Sequence, residues 1–354
     1  MSALRGVSRY REVLGALRLA IAEGDFADGR LPAEPDLARR FGVSRMTLRR
    51  ALAALVDEGV VVSRQGQGTF LCGPETSSSA TGTIAFLLAP HIGEGEADPY
   101  FMAAVQRLTT LCQARHRGLL VVQDLDRLAS AEGWPGIRRL DGIIASAFGR
   151  QAEDRLRGIR LPLVLLDSMP IPERWSILPD NAGAIAGLVH HLTDFGHRRI
   201  AHIAGPADIL AGHERREAWR TALLAQGLPV ADLEAPGGFA SEDGYRAMQQ
   251  LWTRPERPTA VVCVNDRAAL GAMAYLQEQG VRIPHDISMV GIDDIEGSGV
   301  GFPRLTTMAV DRAEMASLAL QRLLDPASPG VTPGLIRVPV RLVFRHSTAV
   351  PPVG

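Results

Sequence analysis

The chain has 354 residues with 38 basic and 39 acidic side chains, 9 histidines and 3 cysteines, and 46% of it is hydrophobic. Every basic residue is arginine, so chemistry that needs lysine is excluded: no Schiff base, no pyridoxal phosphate anchored to the chain, and no phosphate loop of the GxxxxGK[ST] kind. Cys72, Cys112 and Cys263 suit neither a disulfide framework nor a zinc site, MSALRGVSRY lacks the apolar core of a signal peptide, and no apolar run approaches a membrane span, so a cytoplasmic protein without a membrane partner is expected.

In chain order, Tyr10, Val13, Leu14, Leu17 and Ile21 recur at helical spacing and predict an amphipathic helix that stops near Gly24. A short helix follows from Pro35 to Phe41. The third helix is capped by Ser44, has Val43 and Leu48 placed for a hydrophobic staple, and buries Leu48, Ala51, Leu52, Leu55 and Val56. Its polar side carries Arg45, Met46, Arg49 and Arg50, with Thr47 beside the cap. Val60 to Leu71 reads as two strands around a glycine-containing tip. Three helices and a hairpin make residues 1–72 a winged helix-turn-helix, and its 11 Arg against 8 acids suit a polyanion. Residues 73–82 are small and polar, the composition of a flexible linker.

Beyond the linker, apolar strands are predicted at 83–89, 119–122, 142–145, 163–166, 200–203, 260–264 and 288–292. Helical segments at 101–115, 182–195, 215–226, 244–252 and 267–279 lie between them. Strands alternating with helices predict an α/β fold with parallel sheets, and residues 83–354 suffice for two subdomains. Ligands of such sheets sit beyond the carboxyl ends of the strands. The polar residues there are Asp167, Asn265-Asp266 and Asp293-Asp294. Carboxylates, an amide and an arginine suit a polyol; general acid/base work or a hard-metal site are the competing chemistries. Adjacent residues at a strand end point oppositely, so Asp293 and Asp294 should not share a ligand. His190, His191 and His202 lack a carboxylate or cysteine completing a metal set, and His197 at a helix-to-strand turn reads as structural.

Two resemblances follow from these residues. Leu31 to Ala38, Phe41 to Arg49 and Gly66 to Phe70 come in the order and spacing of the GntR-family winged helix, over nearly all of residues 8–72. That resemblance implies that Arg45, Thr47, Arg49 and Arg50 face DNA, that Ser44 caps the recognition helix against a phosphate, and that Gly66, Gln67 and Gly68 approach the minor groove. Ala33 stands where the family usually has Ser, and Pro35 where it has a polar residue, so fewer backbone contacts are expected from the second helix. Asp180-Asn181, Gly196 to Ile200, Pro258 to Ala260, Asn265-Asp266, Pro284 to Asp294 and Leu305 to Thr307 resemble the effector domain of the LacI/GalR family, related in fold to periplasmic sugar-binding proteins. Position by position, this implies an effector site made of Asp98, Tyr100, Phe101, Asp167, Arg215, Phe239, Asn265 and Asp293. Ser168 stands where the family often has an Arg or polar residue, which weakens transfer of a particular sugar's identity.

The order of parts implies a repressor of double-stranded operator DNA, controlled by a sugar-like effector between two lobes whose chain crosses near 180 and near 311. Ligand should bridge Asp98 and Asp167 to Arg215, Asn265 and Asp293 and so relieve repression. A homodimer is expected, because a single module of this size binds DNA weakly; no cofactor, metal or catalytic residue is expected. The rivals are a sugar-processing or NAD-dependent enzyme on the parallel sheet and a stand-alone sugar-binding protein. Gly66-Gln67-Gly68 lacks the third glycine and following helix of a dinucleotide site, and a winged helix does not belong on an exported binding protein.

Overall fold

A computed structural model describes residues 2–22, 25–26, 29–57, 60–64, 68–71, 82–89, 98–125, 140–325 and 332–352. They fall into two compact units, one before residue 82 and one from Gly82 onward, each taken by itself. The linker at 73–81 and Cys72 lie outside the described residues.

In the first unit, α1 (Ser2–Ala22), α2 (Glu34–Arg40) and α3 (Arg45–Asp57) pack around Leu17, Leu37, Leu48, Ala51 and Leu55. The α3 stripe is the one its spacing predicts. Strands β1 (Val61–Arg64) and β2 (Gly68–Leu71) form an antiparallel hairpin, with Val61 opposite Leu71. The segment before α2 adds to its edge, since Leu31 donates to the Thr69 carbonyl at 2.9 Å and Leu71 to that of Gly29 at 2.7 Å. This is the winged helix-turn-helix. Helix α1 begins at Ser2, well before its apolar stripe.

The second unit holds two sheets. The first lobe has the order β13-β7-β6-β5-β3-β4, all parallel: β3 (Thr83–Leu88), β4 (Gly118–Val122), β5 (Gly142–Ser146), β6 (Leu163–Leu166), β7 (Trp175–Pro179) and β13 (Leu335–Val338). Helices α4 (Pro99–Gln113), α5 (Glu153–Arg157) and α11 (Arg312–Leu324) belong to this lobe. The second lobe has the order β14-β12-β11-β10-β8-β9, with β8 (Ile200–Ala204), β9 (Glu234–Pro236), β10 (Ala260–Cys263), β11 (Ser288–Asp293), β12 (Thr306–Val310) and β14 (Val340–Val343). There β14 alone is antiparallel. Its helices are α6 (Asn181–Asp194), α7 (Leu210–Ala225), α8 (Ser241–Trp252), α9 (Asp266–Glu278) and α10 (Glu296–Val300).

The central strands β3, β5, β6, β8, β10 and β11 are buried throughout or nearly so, which is why unbroken apolar runs mark them. Edge strands β9, β13 and β14 and strand β12 carry no such run and escape that reading. The chain passes between lobes at Asp180 and Asp311, and a third time at Pro339, between β13 and β14. This third passage has no counterpart in the sequence reading, because a proline between two short half-exposed segments reads as a loop.

Helices α8 and α9 approach so closely that glycine is required at both contact points. A Cβ at Gly244 would lie 1.9 Å from the Ala268 carbonyl oxygen, and one at Gly271 would lie 1.8 Å from that of Ser241. This brings the amino-terminal end of α9, with Asn265 ahead of it, hard against the start of α8.

Candidate functional site

In the head, Ser44 caps α3: its hydroxyl accepts the Thr47 N–H at 3.2 Å and lies 2.9 Å from the Thr47 hydroxyl. Thr47 is thereby half-buried and spent on the cap, a less open position than the resemblance implies. Arg45, Met46, Arg49 and Arg50 are exposed along one side. Arg49 donates through Nε to Glu34 at 2.7 Å, and the Arg50 guanidinium lies 5.8 Å from the Tyr10 ring centre. Gly68 opens β2 at φ 110°, a left-handed angle that favours glycine. Gly66 and Gln67 lie outside the described residues. Helix α2 has Ala33 at its N-cap with no side-chain bond, and its last-turn arginines are engaged by Asp36 (Arg39) and Asp25 (Arg40).

In the second unit, one cavity between the lobes is lined by Asp98, Tyr100, Phe101, Ala147, Asp167, Ile209, Ala211, Arg215, Phe239, Asn265 and Asp293. Its empty space, counted out into the open mouth, is about 470 Å³. All eight residues named for the effector are brought together there, by the carboxyl ends of β6, β10 and β11, the start of α4, the second turn of α7 and the loop after β9.

Arg215 is buried. Its Nε donates to Asn181 Oδ1 at 2.8 Å, its Nη1 donates to the Val264 carbonyl at 2.6 Å, and its Nη2 stands 3.7 Å from Asp293 Oδ1. Asn181 in turn donates to Glu214 at 2.8 Å, and Glu214 pairs with Arg337 of the other lobe at 2.6 Å. Burial works to raise the Glu214 carboxyl, but the bonds from Arg337 and Asn181 outweigh it and hold it below the ordinary carboxylate range. Three buried polar atoms lining the cavity make no hydrogen bond of ordinary length among the described residues: Tyr100 Oη and Asp167 Oδ1, which act on each other, and Asp293 Oδ1, which has only the more distant Arg215. Burial pushes Asp293 well up and Asp167 up, against the pull of Arg215. Burial, then the charges of Asp167 and Asp293, lifts the Tyr100 phenol well above its usual value.

Three lining residues that are not glycine hold positive φ: Ala147 at 64°, Asp167 at 47° and Asp293 at 122°. Each such conformation costs about 1–3 kcal/mol and collects at ligand clamps. Asp293 and Asp294 separate as the strand geometry requires: the first faces the cavity, the second pairs with Arg345.

Two expected ligand contacts are already spent on the protein. Asp98 caps α4, accepting the Tyr100 N–H at 3.0 Å, and its other oxygen meets Arg267 of the opposite lobe at 3.0 Å. It therefore joins the lobes directly rather than through a ligand. Asn265 caps α9, accepting the Ala268 N–H at 2.8 Å, and donates to the Phe239 carbonyl at 3.0 Å. One amide proton and one lone pair remain to it.

Sequence reasoning missed Arg267, the orienting role of Asn181, and Arg312, whose guanidinium binds the carbonyls of Asp293 and Asp294 and lies 5.5 Å from the Tyr100 ring centre. Arg267 follows the motif residue Asp266, Asn181 belongs to the motif pair Asp180-Asn181, and Arg312 follows the crossing near 311; that adjacency was the available signal. Among the described residues no cluster of His, Cys, Asp and Glu could hold a metal, and no helix is long and apolar enough to cross a membrane. His191 pairs with Thr348, His202 with the Val262 carbonyl, and His190 with Asp194. His197 bonds Thr259, Ser288 and the Ala349 carbonyl as a structural residue.

Comparison with known proteins finds two families along the chain. Residues 9–71 match the family described as bacterial regulatory proteins, gntR family, and residues 189–348 match the periplasmic binding protein-like domain. The chain is 30% identical over 237 residues to the HTH-type transcriptional repressor PurR of Mannheimia succiniciproducens, covering 64% of this chain and 70% of that one. It is similar in structure to the transcriptional regulator CelR in complex with cellobiose, with TM-score 0.67 and 25% identity over 90% of this chain and 100% of that one. The dimeric Lac repressor with an 11-residue C-terminal deletion gives TM-score 0.67 and 25% identity over 76% and 99%. The relatives are repressors rather than enzymes, and the chain belongs to the LacI/GalR family of effector-controlled transcriptional repressors, with a GntR-type winged helix as its DNA-binding head.

Proposed function

We propose that the effector is a neutral, hydroxyl-rich small molecule, a sugar or close derivative, held in the cavity between the lobes. The observation that carries this reading is the convergence on one cavity of Tyr100 Oη, Asp167 Oδ1 and Asp293 Oδ1, all buried and without a hydrogen bond of ordinary length. Leaving such atoms unsatisfied costs about 1–3 kcal/mol each, which a ligand rich in donors offsets. Two carboxylates facing an arginine already committed to Asn181, Val264 and Asp293 disfavour a phosphate or carboxylate. Apolar Ile209, Ala211 and Phe101 supply the wall against which a sugar's C–H face packs. CelR was solved with cellobiose, which supports the class without naming this chain's ligand.

In the same reading α3 is the recognition helix, with Arg45, Arg49 and Arg50 on DNA, and Asp167, Arg215 and Asp293 are the principal ligand contacts. The protein is a cytoplasmic homodimer that reads two half-sites, as one module of this size buries too little DNA for tight specific binding. A thermal-shift screen of pentoses, hexoses, their phosphate esters and nucleosides tests the effector class. A neutral sugar should raise the melting temperature, and its phosphate ester should not. A preference for the phosphorylated compound overturns the reading.

A further inference from the structure

We infer that Met46 is a base-reading residue that recognises a thymine 5-methyl group in each operator half-site, a role additional to the arginines of α3. The inference rests on α3 being the recognition helix. Met46 is the second residue of α3 and is 75% exposed. Arg45 precedes it, and Arg49 and Arg50 lie one turn on, so it is an apolar side chain set among three guanidinium groups. Its neighbours are constrained: Thr47 is turned onto the Ser44 cap, Arg49 is held by Glu34, and Arg50 lies over Tyr10. Met46 has no place in the head's core, which Leu48, Ala51 and Leu55 of the opposite side fill.

The first turn of a recognition helix faces base edges, where the arginines find guanine O6 and N7. The thymine 5-methyl is the one apolar group that a base edge offers in the major groove. A thioether on three rotatable bonds adapts to such a small surface without the geometric demands of a branched side chain. Arginine on guanine and methionine on thymine then read two different base pairs from adjacent positions of one helix.

Replacing thymine by deoxyuridine removes only that methyl, so the contact can be tested atom by atom. The full-length protein is used to select its operator from random duplexes, and each half-site thymine is then replaced in turn. Affinity is read by fluorescence anisotropy at fixed salt. One position per half-site should weaken wild-type binding about fourfold, the effect of uncovering one buried methyl. In Met46→Ala that loss should shrink below about twofold, and Met46→Leu should keep it. The inference is overturned if wild-type affinity is indifferent to deoxyuridine at every thymine, or if Met46→Ala keeps the full loss. Arg45→Ala separates the two levels: unchanged affinity there removes the recognition-helix reading itself, and the Met46 role with it.

Discussion

Asp293 is the residue on which the cavity's chemistry turns. Its weakly partnered Oδ1, positive φ and raised pKa all follow from placing a carboxylate past the end of a buried strand, where burial outweighs the pull of Arg215 and Arg312. Asp293→Asn keeps the shape and removes the charge. It should weaken effector binding by about 1.5–3 kcal/mol, the value of a hydrogen bond to a charged group, and leave operator affinity unchanged, as titration calorimetry and anisotropy would show. Arg215→Ala is a poorer test, since it also strands Asn181 and the Val264 carbonyl. Behind the wall, Asp266 accepts bonds from Ser298, Thr307 and the Ile295 N–H, yet burial pushes it up to about 6. A carboxyl that holds its proton longer in the folded chain makes stability fall as pH rises from about 4 to about 6, by about 3 kcal/mol for this shift. Urea unfolding across that range should show the slope reduced in Asp266→Asn, Asp167 and Asp293 supplying the remainder.

Secondary structure adds two predictions. Helix α2 starts at Ala33 without a side-chain cap, and Ala33→Ser should stabilise the head by about 1 kcal/mol in thermal unfolding, because the serine hydroxyl can take an orphan N–H. Helices α8 and α9 meet through Gly244 and Gly271, and alanine at either should cost about 1–3 kcal/mol, or more if the helices cannot separate. It should also disturb Asn265, whose cap and Phe239 bond sit at that junction. At this scale the sequence was readable where burial was complete and every residue apolar, which leaves out the buried but threonine-led β12. Leu163–Leu166 is recovered to the residue, since an unbroken apolar run has no other use. Strands β7, β9, β12, β13 and β14 were lost because they mix polar, proline or half-exposed positions. The site was legible as a set of polar residues past strand ends, but their existing obligations were not: Asn265 and Asp98 both serve as helix caps, and the predicted helices at 267 and 101 begin one or two residues too late to show it. Arg267 was hidden for a related reason, as its partner Asp98 lies across the lobes and 169 residues away, and Arg312 because it binds backbone carbonyls, which leave no mark in the sequence.

At the scale of the whole molecule, the direct Asp98–Arg267 pair sets how the repressor responds. It joins the lobes through the chain's own side chains, so it adds to the fraction of molecules in the joined form with or without ligand. Apparent affinity equals intrinsic affinity scaled by that fraction, and a partly buried pair of about 1 kcal/mol raises a small fraction about fivefold. The same tie raises the response before any effector arrives, since the effector can only move what remains of the population. Sensitivity is thereby exchanged for range: the pair lowers the concentration at which the switch begins to move and narrows the distance it travels. Arg267→Met should shift the dose-response curve to higher effector concentration and widen the gap between its two plateaus. The threshold of this regulator is thus adjustable at a residue that need not touch the effector.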